Sequence, residues 1–208
     1  MRVPPTMRTV QLTRHGDLDA LVVVADAPTP QPGPGEVLVR VLACGINNTD
    51  INTRVGWYAQ DEEDDGAWGG ALAFPVIQGA DVCGEIAAVG AGVDAARVGQ
   101  RVLVDPWVRD ASRPDDLHAA GYLGSEHPGG YAEYMAAPAV NAHPVSDRLT
   151  AVELASFPTA AGTALDMLRR ARLGAGETVL VTGASGGVGG YAVQIARALG
   201  ATPIAVCD

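Results

Sequence analysis

From residue 178 the chain reads TVLVTGASGGVGGYAVQIARALGATPIAVCD, and its chemistry sits in the glycines and the final acid. Ala184, Ser185, Gly186, Gly187, Val188 and Gly189 form an A-x-G-x-x-G turn, one methyl away from the G-x-G-x-x-G pattern that cradles a dinucleotide's pyrophosphate. A small residue at 184 keeps the turn tight, Gly186 lets backbone approach the pyrophosphate, and Gly189 lets a helix pack close on a strand. The N-terminus of that helix offers N–H donors and positive potential to phosphate. Asp208 lies 19 residues past Gly189, close to the spacing of about 20 at which an acid reaches the ribose of such a ligand. An acid there repels a 2′-phosphate, which favours NAD(H) over NADP(H). The alternative is a structural turn that binds nothing.

The elements around the turn suit the first reading. Residues 178–182 (TVLVT) predict a buried strand, the next segment a helix with Val188, Ala192, Ile195 and Leu199 on one face, and residues 203–207 a second strand. Strand, helix and strand in that order make a β-α-β unit with a parallel pair. Upstream, Thr150 and Glu153 have the spacing of a capping box. A further helix is expected over 160–171, with Arg169 and Arg170 in its last turn and Gly174 beyond it.

Before residue 150 the pattern is β. Strands are expected at 7–12, 37–44, 84–90, 101–105 and 130–137; in the second, β-branched Val37, Val39 and Val41 alternate. The proline-rich PTPQPGPGE (28–36) is a loop. Short strands with frequent turns suggest a barrel or sandwich. The chain thus reads as α/β overall, with a β-rich domain over 1–149 and the start of a dinucleotide-binding domain over 150–208.

Composition narrows the partners. A formal net charge of -10 argues against nucleic acid and anionic membrane surfaces, which need a basic footprint. The three cysteines, Cys44, Cys83 and Cys207, are too few and too scattered for a disulfide framework or a four-ligand zinc knot, and a reducing cytoplasm fits them. The N-terminus lacks the apolar core of a signal peptide, and no run is long and apolar enough to span a membrane. The acidic run at 61–66 (DEEDDG) reads as a solvated loop rather than a metal site.

Several longer segments carry a family resemblance: GEVLVRVLACGINNTDINTRVGWY (35–58), FPVIQGADVCGEIAAVGAGV (74–93), GQRVLV (99–104), GGYAEY (129–134), ELASFPTAAGTALDML (153–168) and the glycine-rich end. The chain resembles the medium-chain dehydrogenase/reductase superfamily, most nearly its quinone-oxidoreductase-like and related alcohol-dehydrogenase-like branch. The resemblance implies a GroES-like β-rich barrel domain, then a Rossmann domain, with an active site in the cleft between them. It implies a small-molecule substrate, a nicotinamide cofactor that in the quinone-reductase branch is often NADPH, against which Asp208 favours NAD(H) only slightly, and a homodimer for the complete protein.

Zinc-dependent members hold a catalytic zinc with a Cys, a His and a Cys. Asn47, Ala80 and Thr159 stand at those places here, and the usual Gly-His-Glu reads Gly79-Ala80-Asp81. Alanine cannot ligate zinc, and amide or hydroxyl oxygens are poor ligands for it. The four-cysteine structural lobe is also missing, Cys44 reads as a buried thiol, and His118, His127 and His143 fall in loop-like stretches. A zinc-independent enzyme is therefore expected. The zinc-free branch carries the G-[IV]-N-x-x-D stretch seen at Gly45 to Asp50. Asn47 would donate to a carbonyl oxygen as negative charge builds there, or else shape its own turn. Thr49 matches a proton-relaying hydroxyl of the zinc members. Tyr58 would stack on substrate or donate a proton, or simply pack its loop. Asp81 would orient neighbours or serve as a structural acceptor. Thr163 matches a threonine near the nicotinamide, or bonds its own helix backbone.

A dinucleotide fold has two β-α-β-α-β halves, and only the first strand, helix and second strand are present. A truncated gene, an incomplete sequence or a partner chain that completes the sheet are the expected explanations, with the 208 residues alone inactive.

Overall fold

The computed structural model describes residues 2–59, 72–110, 112, 113, 116 and 119–207. The acidic run at 61–66, His118 and Asp208 lie outside the described residues. The chain divides into two compact units, Met1–Ala155 and Ser156–Asp208.

In the first unit the strands are β1 (Thr6–Leu12), β2 (Leu21–Pro28), β3 (Glu36–Gly45), β4 (Val76–Ile77), β5 (Asp81–Val89), β6 (Arg101–Val104), β7 (Trp107–Val108), β8 (Gly121–Tyr122), β9 (Tyr134–Pro138) and β10 (Ala142–Pro144). Helix α1 (Asn48–Val55) follows β3, and α2 (Ala151–Leu154) closes the unit. The sheets run β2-β1-β4, β10-β6-β5-β3-β9 and β7-β8. The expected barrel closure is therefore corrected: among the described residues the sheets are open. The five-stranded sheet ends on β9 and β10, which are short and finish at Pro138 and Pro144, and proline has no N–H to extend a ladder.

Alternation in β3 and its neighbours builds the core. Val37, Val39, Val82, Ile86, Val102, Val104 and Met135 are buried together. Leu38 is buried as well, on the other face of β3, where Met7 and Tyr134 cover it. One strand thus has two covered faces, which simple alternation does not foresee. Helix α2 is closed by the expected box, since Thr150 accepts from the Glu153 N–H and Glu153 accepts from the Thr150 N–H. Its Leu154 packs with Ala155 and Cys83.

The second unit holds α3 (Pro158–Arg170), β11 (Thr178–Thr182), α4 (Gly187–Ala198) and β12 (Thr202–Val206). β11 and β12 pair in parallel, from Thr178 opposite Thr202 to Thr182 opposite Val206. Val188, Ala192 and Ile195 of the predicted face of α4 pack on the core, and the small residues beside them go deepest. Gly189, Ala192 and Ala196 are buried, whereas Leu199 is 41% exposed. Small residues win that face because α3 packs on α4, and its own buried stripe is Ala160, Ala164 and Leu168. Among the described residues no helix is long and apolar enough to cross a membrane.

Candidate functional site

The first cluster forms where β3 ends and β5 begins. Gly45 lies opposite Asp81 in the β3–β5 ladder, so the chain leaves β3 beside the first residue of β5 and enters α1 three residues later. Asn47 is the N-cap of α1, with extended backbone. Its side chain forms a capping box with Asp50, whose Oδ2 accepts the Asn47 N–H at 2.8 Å. The Asn47 Nδ2 donates to Asp81 Oδ2 at 3.1 Å. Its second Nδ2–H has no protein partner among the described residues.

Asp50 is the hub. Its Oδ1 accepts from the Gly79 N–H at 3.2 Å, its backbone carbonyl accepts from Gln78 Nε2 at 2.9 Å, and Tyr131 lies beside its carboxylate. Burial pushes the Asp50 carboxyl up, the N–H groups of Asn47 and Gly79 pull it back, and Asp81 adds to the rise; the net direction is upward. Gly79 must be glycine here. Its φ is +97°, and a Cβ would sit 2.5 Å from the Tyr131 ring and 2.7 Å from Cys44 Sγ. Burial, then Asp50 and Asp81, raise the Cys44 thiol, which stays protonated.

Of the four residues expected to act, Asn47 and Asp81 are brought together by a hydrogen bond. Thr49 stands in the first turn of α1, its Oγ1 buried and without a hydrogen-bond partner. Tyr58 lies past the other end of α1, stacked edge-on against Trp57 and 3.5 Å from Asn52 Nδ2, and makes no bond to Asn47 or Asp81. Sequence reasoning did not single out Asp50, Gln78, Gly79 and Tyr131. Asp50 was within reach, because it stands three residues after the N-cap, at capping-box spacing.

The donor set does not fit a zinc ion. Ala80 is buried and presents a methyl group. The Asn47 amide and the Asp81 carboxylate are engaged with each other, and the Asp50 carboxylate is occupied by two backbone N–H donors. His127 and His143 are exposed on separate segments.

The second cluster is the glycine turn between β11 and α4. Gly183, at φ +61°, makes the tight turn assigned to residue 184, and the Ala184 N–H donates to the Val206 carbonyl at 3.0 Å. Gly189 is a packing glycine: a Cβ there would lie 2.3 Å from the Gly183 carbonyl oxygen. Gly186 is different. Its φ is -78°, and a Cβ would meet only the Gly183 oxygen, at an ordinary 3.4 Å. Neither backbone nor packing requires glycine at 186. The position caps α4, and Ser185, Gly186 and Gly187 form an exposed lip. Val188 is half-buried behind it. The first N–H groups of α4 have no intrahelical acceptors. This donor set fits a phosphate, and an absent side chain at 186 is what a close approach needs. Thr163, on α3, donates its Oγ1–H to the Thr159 carbonyl at 2.7 Å, which leaves the oxygen as an acceptor.

Comparison with known proteins agrees with this anatomy. Residues 33–147 match the alcohol dehydrogenase GroES-like domain. An NAD-dependent alcohol dehydrogenase of Sulfurisphaera tokodaii is 34% identical over 96% of this chain and 58% of its own length. A quinone oxidoreductase of Rattus norvegicus is 33% identical over 93% of this chain and 50% of its own. The crystal structure of a Sinorhizobium meliloti 1021 protein, 54% identical, superposes with a TM-score of 0.89 and covers 99% of this chain and 58% of that one. The chain thus spans between 50% and 58% of the length of these relatives. With a GroES-like β domain followed by a β-α-β unit and its glycine turn, the chain belongs to the medium-chain dehydrogenase/reductase superfamily.

Proposed function

We propose that the complete protein is a nicotinamide-dependent, zinc-independent oxidoreductase, moving a hydride to or from a small carbonyl, enone or quinone, with NAD(H) preferred. Gly186 carries this reading: a glycine that its own fold does not require, capping a helix whose free N–H groups face an exposed lip. The first turn of α4 holds the pyrophosphate, with Ala184, Ser185, Gly186, Gly187 and Val188 around it and Gly189 keeping helix against strand. Asp208 reaches the ribose and Thr163 accepts a hydrogen bond near the nicotinamide. When bound, the nicotinamide supplies or accepts the hydride.

Asn47 acts on the substrate oxygen. Its spare N–H donates as negative charge builds there, a bond that strengthens toward the transition state. The unpartnered Thr49 hydroxyl is a second group able to donate to or accept from that oxygen. Tyr58, beside Trp57, borders the substrate rather than the reacting atoms. No step runs through a metal, because residue 80 brings no ligand atom. The names of the relatives support both the nicotinamide chemistry and the range of substrates. A homodimer in the cytoplasm is part of the same reading.

Steady-state turnover of NADH and NADPH with enones, quinones and aldehydes tests it, alongside metal analysis of the purified protein. Turnover with NADH and less than stoichiometric zinc is expected. Stoichiometric zinc would favour an alcohol dehydrogenase with unusual ligands. Tight NADH binding without turnover would favour a non-catalytic member of the superfamily.

A further inference from the structure

We propose that Asp81 is a positioning residue for Asn47: its carboxylate sets the amide so that an N–H, and not the carbonyl, faces the substrate oxygen. This rests on the donor role given to Asn47 above. The two ends of an asparagine amide have nearly the same shape, and a flip exchanges a donor for an acceptor. Something must therefore decide which end points where. A carboxylate only accepts, so the group facing Asp81 Oδ2 at 3.1 Å is the NH2 end. Asp50 holds the main chain of the same residue from both sides, its carboxylate accepting the Asn47 N–H and its own N–H donating to the Asn47 carbonyl. Two carboxylates thus fix one asparagine, and one N–H is left over.

The position of Asp81 argues for the same role. It is 1% exposed and begins β5, opposite Gly45, which stands two residues before Asn47. A buried carboxylate is seldom the most stabilising choice at such a place, where an apolar side chain of similar volume often does as well. There is also an opposing effect. A negative charge near a developing oxyanion disfavours it, so Asp81 helps only through geometry. Orientation and charge are separable by mutation, since asparagine keeps an acceptor oxygen and lacks the charge.

The test compares N47A, D81A, D81N and N47A/D81A in the intact gene product, with NADH and an enone. D81A is expected to lower kcat by about 10- to 100-fold with KM for NADH unchanged, the scale of a misplaced or lost oxyanion donor. D81N recovers most of that loss, and D81A adds nothing to N47A. Additive losses in the double variant would overturn the proposal, as would an unchanged kcat in D81A while N47A is impaired. An unchanged kcat in N47A would instead overturn the donor role itself. The Asn47 side-chain amide gives a readout apart from turnover. Its two proton resonances are expected to be well separated in the wild type and in D81N, and to converge in D81A; separation that survives in D81A sinks the idea. If D81A does not fold, D81L, of closer volume and also without an acceptor, takes its place.

Discussion

Two glycines of one turn, three residues apart, carry opposite burdens. At Gly189 a side chain would strike the Gly183 carbonyl, whereas at Gly186 it would reach only ordinary contact. Gly189→Ala is therefore expected to lower stability by roughly 1–3 kcal/mol, the usual cost of overpacking. Gly186→Ala should unfold at the same denaturant concentration as the parent and bind NADH more weakly in a fluorescence titration. If Gly186→Ala bound NADH as tightly as the parent, the phosphate assignment would fail. Asp50 offers a second residue-scale test. Burial and Asp81 raise its carboxyl above the ordinary 3.8, against the pull of its donors. A raised folded value means the folded state holds the proton more tightly than the unfolded chain does. That stabilisation is present in full below 3.8 and is lost as pH rises through the folded value. The stability advantage of the parent over Asp50→Asn, read from urea midpoints, is thus expected to shrink as pH rises above 3.8 through the folded value. A gap independent of pH would contradict the rise. The sequence pointed to Asn47 and Asp81 through motif positions. Tyr131 was invisible there, because it reaches Asp50 across 81 residues of chain and only the folded sheet brings them together.

At the scale of elements, the same boundary between local and distant signals recurs. The Thr150–Glu153 box, the strand at Thr178–Thr182 and the parallel β-α-β order follow from residues close in sequence, and the structure has them. On α4 only Leu199 was misplaced, because a large apolar residue suggests a core face, while α3 at close range lets Gly189, Ala192 and Ala196 go deepest beside Val188 and Ile195. Sheet closure was misread for a related reason: what an edge strand pairs with is not written in that strand. The capping residues also make a prediction. Thr150 orders a helix of one turn whose Leu154 covers Cys83. Thr150→Ala is expected to cost about 1 kcal/mol, and Thr150→Ser much less, in equilibrium unfolding. Equal losses in the two variants would mean that the threonine methyl, and not the cap, carries the effect.

For the whole molecule, the decisive contrast is between the two cores. The first unit buries a cluster of valines, Ile86, Leu123 and Met135. The second buries Ala164, Ala192, Ala196, Ala201, Leu168 and Val181, which is a core made mostly of alanine. Its strands leave Leu180 62%, Ile204 50% and Val206 44% exposed. Within these 208 residues less apolar surface is removed from water in the second unit, so local opening there is cheaper in this chain. Amide exchange is therefore expected to be faster in β11, β12 and α4 than in β3 and β5. The proposed ligand site lies in this softer unit, and that gives the contrast a use. A ligand that binds only the closed form adds RT ln(1 + [L]/Kd), about 2.7 kcal/mol at a hundredfold excess over Kd. NADH at that excess should slow exchange in α4 and the strands beside it by about 100-fold, while β3 and β5 change little. Equal slowing in both units would mean that the two open as one. No slowing in α4 would mean that the turn does not hold the dinucleotide, and the functional proposal would fall with it.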